Sequence, residues 1–216
     1  MRSLPLVLSA LVLVAAGACS GEETPPAEDV IPEAAEAMAE LESLRFDLAV
    51  EGDVEGLSVK TAEGVVTADS AAEGTGTITA LGMDLEVEYV ILGPDAYVKG
   101  PTGGHQRIPV GDEMLPYDPT ILLAPDRGIP ALLEAVDSAE PQDTDVVSGF
   151  DTYRYAVVFE PSVFADFIPA EGNWNEATVW FDQETARVVK AEFTQGDAVI
   201  TMLLSDFDDQ VTIEAP

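Results

Sequence analysis

Apolar and polar residues alternate with a period of two along much of the chain. The alternation is cleanest over residues 83–91, where every odd position is apolar and Asp84, Glu86 and Glu88 lie between. This pattern indicates a β-strand with one face buried and the other in water. Turn clusters such as Gly93-Pro94-Asp95 separate such segments, as expected of antiparallel meanders.

Similar patterns predict strands along most of the chain, and helical spacing interrupts them in a few places. The predicted strands cover residues 45–51, 59–68, 74–81, 83–91, 96–99, 152–159, 177–182, 187–195 and 198–207. The predicted helices cover residues 32–44, 118–123, 126–136 and 161–168. We therefore predict an α+β fold, in which one strongly curved antiparallel sheet carries a few helices on its concave face.

The N-terminus has the plan of an export signal. Arg2 precedes an apolar run over residues 4–16, and Gly17-Ala18 precede the single cysteine, Cys19. The run is too short to span a bilayer, which needs roughly 20 residues. The pattern matches a bacterial lipobox, with Ala16 in place of the more usual Leu, and predicts lipid modification of Cys19. The alternative is an ordinary signal peptide with an incidental cysteine.

These features predict three regions. Residues 1–18 are a lipoprotein signal peptide, residues 19–31 a lipidated N-terminus and flexible tether, and residues 32–216 a single domain. The mature protein is expected to be exported and anchored by its N-terminal lipid to the outer face of the cell membrane, since two or more acyl chains anchor a protein stably.

The charge and the small numbers of cysteine and histidine exclude several classes of function or site. The chain has 41 Asp plus Glu against 9 Lys plus Arg and a formal net charge of −32. Nucleic acid is excluded as a partner because phosphate backbones need clustered cations. One cysteine excludes an intramolecular disulfide, and a single histidine weakens every triad or multi-histidine metal site.

The remaining motifs give no catalytic chemistry. Residues 100–104 are glycine-rich but follow a strand without opening a helix, so they predict a hairpin loop. His105 has no evident acid–base partner, and the acidic run 206–209 lacks EF-hand spacing, so a solvated strand end accounts for it better. We assign no catalytic residue, metal site or cofactor, and we expect no enzyme activity.

Several segments resemble a known family. They are residues 117–136, the turn Val147-Ser148-Gly149-Phe150-Asp151, the tail 177–216 and the glycine-punctuated stretch 52–80. Together they resemble the LppX/LprA/LprF/LprG lipoproteins of mycobacteria over roughly residues 32–216. Phe181 and Asp182 depart from the family's tail.

The resemblance implies a half-barrel, related in shape to the LolA/LolB carriers, around a hydrophobic cavity. It also implies binding of multi-acylated lipids or glycolipids and their carriage across the cell envelope, beside a major-facilitator-type exporter. We expect a monomer. Helix 126–136 and segment 161–168 lie between strands and are the expected movable parts.

The cavity would be lined by the inward side chains of strands and helices. The candidates are Phe46, Leu48, Leu85, Val87, Tyr89, Ile91, Leu122, Leu132, Leu133, Phe164, Phe167, Phe181 and Phe193. Periodicity alone does not distinguish a cavity from a solid core. The alternative function is therefore a surface-anchored acidic interaction module with a solid core that carries no lipid. An enzyme with a carboxylate pair is a third alternative.

Overall fold

The computed structural model describes residues 24–80, 82–101, 103–112 and 114–216. Within these ranges, eleven strands form one antiparallel sheet. The strands are β1 Ser43–Glu51, β2 Val59–Thr67, β3 Ala71–Ala80, β4 Met83–Leu92, β5 Asp95–Lys99, β6 Gln106–Pro109, β7 Val136–Val147, β8 Phe150–Phe159, β9 Glu176–Asp182, β10 Val188–Gln195 and β11 Ala198–Ser205. The helices are α1 Ala27–Ala39, a 3₁₀ helix Pro119–Leu123, α2 Ile129–Glu134 and α3 Pro161–Phe167.

The strand order shows how the chain covers the sheet. It runs β6-β5-β4-β3-β2-β1-β11-β10-β9-β8-β7, so the sheet is open and β6 and β7 are its two edges. The chain meanders outward from β1 to one edge, crosses to the other edge, and meanders back until β11 pairs with β1. The crossing between Pro109 and Val136 must therefore span the whole width of the sheet.

The predicted fold class is confirmed. The sheet is curved, and the few helices pack on its concave face. Inward residues of the strands and the apolar sides of the helices form one hydrophobic core, which includes Phe46, Ile91, Leu122 and Trp174. Removal of this apolar surface from water is the dominant stabilising contribution to the fold.

Helix α1 begins earlier and ends earlier than predicted. It spans Ala27–Ala39, so residues 27–31 are helical and the expectation that they belong to the tether is wrong. Val30 and Ile31 continue the buried face formed by Ala34, Ala35 and Met38, and this burial stabilises the extra turn. Glu28 and Asp29 in the first turn add a favourable interaction with the helix dipole.

The helices after β6 are shorter than predicted. Within the predicted helix 118–123, Pro119–Leu123 form a 3₁₀ helix, and Asp118 caps it by accepting a hydrogen bond of 3.0 Å on its side chain from the Thr120 N–H. Helix α2 covers only Ile129–Glu134, and Val136 at the end of the predicted helix instead begins β7. Helix α3 follows the predicted segment closely.

Two hydrogen bonds hold the N-terminal end of the described chain against the sheet. Thr24 donates through Oγ1 to the Gln142 carbonyl at 2.9 Å, and the Tyr155 hydroxyl donates to the Pro25 carbonyl at 2.8 Å. Cys19 and the predicted signal peptide lie outside the described residues. Among the helices in the described ranges, none has the length and apolar character needed to cross a bilayer.

Candidate functional site

The site is formed by the segment that crosses the concave face, residues 114–134, which we call the crossover segment. Its hydrogen bonds are local: Leu115 N–H donates to the Asp112 carbonyl at 2.8 Å, Gly128 N–H to the Ala124 carbonyl at 2.7 Å, and Leu132 N–H to the Gly128 carbonyl at 3.0 Å. In the part of the chain that the structure describes, no hydrogen bond joins the crossover segment to the sheet.

Within the described ranges, the crossover segment is held on the sheet by its apolar side chains. Its buried residues all belong to the common core and are Leu115, Tyr117, Ile121, Leu122, Leu123, Ile129, Leu132 and Leu133. Each fully buried aliphatic side chain stabilises by about 1.5–3 kcal/mol. This attachment is strong but non-directional, so a second apolar body could replace it without breaking backbone hydrogen bonds.

A small cavity, which we call the α2 cavity, lies between the helices and strands β8–β11. It encloses about 20 Å³. All of its lining residues are apolar: Ile129, Leu132, Leu133, Phe159, Phe167, Val179, Val188, Ala191, Phe193, Met202 and Leu204. This volume holds about one water molecule, and an apolar cavity of this kind stays dry.

A second cavity, which we call the Tyr117 cavity, lies between the start of the crossover segment and strands β2–β4. It also encloses about 20 Å³. Its lining residues are Val59, Thr61, Ala62, Gly76, Ile78, Val87, Tyr89, Leu115, Pro116, Tyr117 and Pro119. Unlike the α2 cavity, it is lined partly by hydroxyl-bearing side chains.

Aromatic rings fill the space beneath α3. The Phe164 ring lies 4.8 Å from the Phe193 ring and 6.0 Å from the Trp174 ring, centroid to centroid. The Phe159 and Phe167 rings lie 6.2 Å and 6.4 Å from Phe193. Aromatic pairs at these separations stabilise by roughly 0.5–1.5 kcal/mol more than the burial of their apolar area alone. Helix α3 is therefore attached to the sheet mainly by the packing of aromatic rings.

Burial shields the hydroxyls of three tyrosines from water. It raises the pKa of the Tyr89 and Tyr117 phenols well above the ordinary value and raises the pKa of Tyr155 to about 12. The phenols are therefore neutral hydrogen-bond donors at physiological pH. The Tyr117 hydroxyl is buried and has no hydrogen-bond partner among the described residues.

The structure places the predicted lining residues together. All except Leu85 are buried in the common core, and Leu85 is half-buried against it. Leu132, Leu133, Phe167 and Phe193 line the α2 cavity, and Val87 and Tyr89 line the Tyr117 cavity. The others lie in the core or, for Leu85, against it, without lining either cavity; they are Phe46, Leu48, Leu85, Ile91, Leu122, Phe164 and Phe181.

Several wall residues were missed by sequence reasoning. Phe159, Val179 and Met202 line the α2 cavity and belong to strands whose alternation was predicted, so the same alternation could have found them. Tyr117 lies in an irregular stretch before the 3₁₀ helix, where no periodic pattern marks a buried position.

A larger groove of about 680 Å³ lies on the opposite, outer face of β1–β5. Its polar lining includes Asp47, Glu63, Glu86 and Glu88, with Lys99 donating to Glu88 at 2.8 Å. The Lys99 ammonium holds the pKa of the Glu88 carboxyl below its usual range. This open, acidic groove is unsuited to acyl chains, because its charged walls would have to be desolvated.

The other motifs lie on the surface. His105 is exposed, and β5 and β6 pair antiparallel, so the chain between them is a hairpin connection, as predicted. Asp206 and Asp208 accept hydrogen bonds from Arg45 and Arg187 at 2.9 Å and 2.6 Å. Among the described residues, no group of three or more His, Cys, Asp or Glu side chains could hold a metal ion.

The family model described as LppX_LprAFG lipoprotein matches residues 26–213. The chain belongs to this family. The resemblance inferred from residues 52–80, 117–136, 147–151 and 177–216 is thereby confirmed.

Relatives in the family cover nearly the whole chain. The lipoarabinomannan carrier protein LprG of Mycobacterium tuberculosis is 28% identical, over 91% of this chain and 85% of its own length. The protein of the same name from Mycolicibacterium smegmatis is also 28% identical, over 100% of this chain and 96% of its own length.

Solved structures of family members share the fold. LprF from Mycobacterium bovis has a TM-score of 0.78 and 20% identity, over 90% of this chain and 98% of that chain. LppX from Mycobacterium tuberculosis has a TM-score of 0.65 and 21% identity, over 87% of this chain and 98% of that chain. At these identities, the likeness concerns the fold.

Proposed function

We propose that this chain is an exported lipoprotein that binds an acylated lipid beneath the crossover segment and carries it through the cell envelope. The way in which the crossover segment is attached supports this proposal. The segment spans the full apolar face of the sheet, and no hydrogen bond to the described sheet residues holds it there. Its contacts are of the kind that acyl chains can replace.

The interior is too small to hold a lipid unless the segments that cover it move. Each cavity encloses about 20 Å³, which holds about one water molecule and no acyl chain. Lipid entry therefore needs the crossover segment and α3 to move away from the sheet. Each methylene transferred from water contributes about 0.8 kcal/mol, so lipid chains restore the apolar contacts that the moving segments give up.

The relatives support the choice of ligand. Those named lipoarabinomannan carrier protein share the family and nearly the full length of this chain. We infer a multi-acylated lipid or glycolipid as ligand, a major-facilitator-type exporter as a partner, and action as a monomer. Acylation of Cys19 anchors the protein to the outer face of the membrane, and a Cys19→Ala variant should be released into the medium.

The closed interior favours one other function. A chain whose core stays solid would act as a membrane-anchored interaction module, using its acidic surface to bind a transporter or wall component. Such a module needs no movement of the crossover segment and gains nothing from an apolar interior that opens. The two functions differ in what the purified protein contains.

A bulky side chain in the interior separates the two functions. Ala191 lies on β10 in the wall of the α2 cavity, and Thr194 lies exposed on the same strand. Ala191→Trp fills the space that lipid chains need, whereas Thr194→Trp adds the same bulk to the outside. Each variant is purified from a host with membranes, and organic extracts are analysed by mass spectrometry.

We expect wild type and Thr194→Trp to carry acyl lipid and Ala191→Trp to carry at least tenfold less. Cooperative thermal unfolding shows that each variant is folded, and Ala191→Leu provides a milder substitution should Ala191→Trp fail to fold. Equal lipid content in wild type and a folded Ala191 variant would contradict a site beneath the crossover segment. Lipid-free wild type would favour the interaction module.

A further inference from the structure

The Tyr117 hydroxyl is a buried polar group without an assigned purpose. It belongs to the crossover segment, lines the Tyr117 cavity, and has no hydrogen-bond partner among the described residues. A phenol that leaves water without a partner costs roughly 1–3 kcal/mol. A neighbouring phenol, Tyr89, already donates a hydrogen bond to the Glu63 carbonyl at 3.2 Å. Of these two hydroxyls, only that of Tyr117 has no acceptor among the described residues.

The walls restrict what can pair with Tyr117. Apart from Thr61 and the two tyrosines, the lining side chains of the cavity are apolar or absent, and none of the described ones is charged. Asp118 lies next in sequence, and its carboxylate accepts hydrogen bonds from Thr120 N–H and Oγ1 at 3.0 Å and 2.7 Å. An anionic group placed here would lose its hydration and meet no cation, which disfavours phosphates and carboxylates.

The remaining partner is a neutral acceptor oxygen joined to an apolar chain. The ester carbonyl of an acylated lipid has both properties, and an ether-linked chain of the same length lacks the carbonyl. Burial keeps the Tyr117 phenol neutral, since its pKa lies well above the ordinary value. The phenol therefore keeps its proton, and can donate it in a hydrogen bond, at neutral pH.

We propose that Tyr117 donates a hydrogen bond to an ester carbonyl of the bound lipid and selects ester-linked over ether-linked chains. This inference rests on the proposed function and deepens it. It predicts that the first part of the crossover segment stays beside the lipid after α2 and α3 have moved, with the Tyr117 cavity widened to hold the linkage region of the ligand.

The test compares two substitutions and two lipids. Tyr117→Phe removes only the buried hydroxyl, and Tyr97→Phe removes a hydroxyl on the outer face of β5. The probes are a dipalmitoyl phosphatidylcholine and its dihexadecyl ether analogue, which share headgroup and chain length. Affinities are measured by equilibrium transfer from vesicles, and the infrared carbonyl stretch of a ¹³C-labelled ester reports hydrogen bonding directly.

We expect wild type and Tyr97→Phe to bind the ester lipid about three- to tenfold more tightly than the ether lipid, as one hydrogen bond contributes. Tyr117→Phe should bind both equally and abolish the lowered carbonyl frequency. The empty Tyr117→Phe protein should melt at the same or a higher temperature than wild type, because an unpaired buried hydroxyl has been removed.

Three results would overturn the inference. Equal binding of ester and ether lipids by wild type would remove the selectivity while leaving the proposed function intact. A lower melting temperature of empty Tyr117→Phe would show that the hydroxyl already has a partner, such as a trapped water. Failure of wild type to bind either lipid would instead defeat the proposed function on which the inference rests.

Discussion

The Tyr89 hydroxyl donates a hydrogen bond of 3.2 Å to the Glu63 carbonyl oxygen, reaching from β4 across the whole of β3 to β2. This contact is possible because Gly64 and Gly74 face each other beneath the ring. A Cβ on Gly74 would lie 2.6 Å from the Tyr89 hydroxyl oxygen and would clash with the Glu63 carbonyl. The two glycines thus leave room for the Tyr89 side chain, which lines the Tyr117 cavity.

Gly74→Ala should therefore be destabilising. The added methyl group must push apart backbone atoms of β2 and β3 and displace the Tyr89 phenol, which we expect to lower the free energy of unfolding by about 3 kcal/mol. Denaturant titration measures this change. Gly100→Ala is the matched control, because nothing lies within 4 Å of its Cβ position, and its effect should stay within about 0.5 kcal/mol. Equal effects of both substitutions would contradict the close packing.

Stability should fall at alkaline pH. The folded-state pKa values of Tyr89, Tyr117 and Tyr155 lie above the ordinary value of about 10, so these phenols stay protonated in the folded state while the unfolded chain loses their protons. The stabilising effect is complete below pH about 10 and is lost as the pH rises through the folded pKa values. Each tyrosine contributes a slope of up to about 1.4 kcal/mol per pH unit.

Thermal or denaturant unfolding at a series of pH values measures this slope. Tyr117→Phe should make it shallower by about one tyrosine, and the tyrosinate absorbance should appear together with unfolding. A free energy of unfolding that stays constant well above pH 10 would show that these hydroxyls are accessible to solvent.

The crossover segment should open more readily than the sheet. Among the described residues, its amides donate to carbonyl or carboxylate oxygens of Asp112 or of the segment itself, and short helices such as α2 are marginal without their packing. Amide hydrogen exchange of the lipid-free protein should therefore be faster in residues 114–134 than in β1, β2 and β11, with opening at free energies below that of global unfolding. Protection of this segment equal to that of the central strands would contradict a movable cover.

Added salt should stabilise the protein. The 41 acidic residues far outnumber the 9 Lys plus Arg and leave a net charge of −32, and ion pairs such as that between Arg45 and Asp206 are exposed to solvent. Raising the ionic strength from about 0.1 M to about 1 M shortens the Debye length from about 10 Å to about 3 Å and screens the repulsion between carboxylates. The melting temperature should rise by several degrees in sodium chloride, and indifference to salt would exclude self-repulsion as a destabilising force.

The two strands that the sequence did not predict are the edges of the sheet. β6 has four residues and ends in Pro109, and β7 is mostly exposed and contains Pro141. An edge strand is paired on one side only and tolerates proline and charge, which also prevent further strand pairing. Neither edge strand shows the alternation that identified inner strands such as β4, because neither buries a full face.

The candidate site was predictable only in part, for a related reason. Alternation and helical spacing placed residues such as Leu132 and Phe193 in the interior, since burial leaves a periodic trace. Whether that interior opens depends on where the hydrogen bonds of residues 114–134 are formed, and these depend on the crossing from β6 to β7 rather than on any local pattern. Tyr117 could not be identified because its neighbours are not periodic.

Native mass spectrometry of the full chain, purified from a membrane-containing host, shows whether an acylated lipid occupies the interior. We expect a one-to-one noncovalent complex whose excess mass dissociates on activation and fragments as an acylated lipid, in addition to the covalent acylation expected at Cys19. A polypeptide that carries only its covalent modification, even after incubation with acylated lipid, would show that the protein is not a lipid carrier.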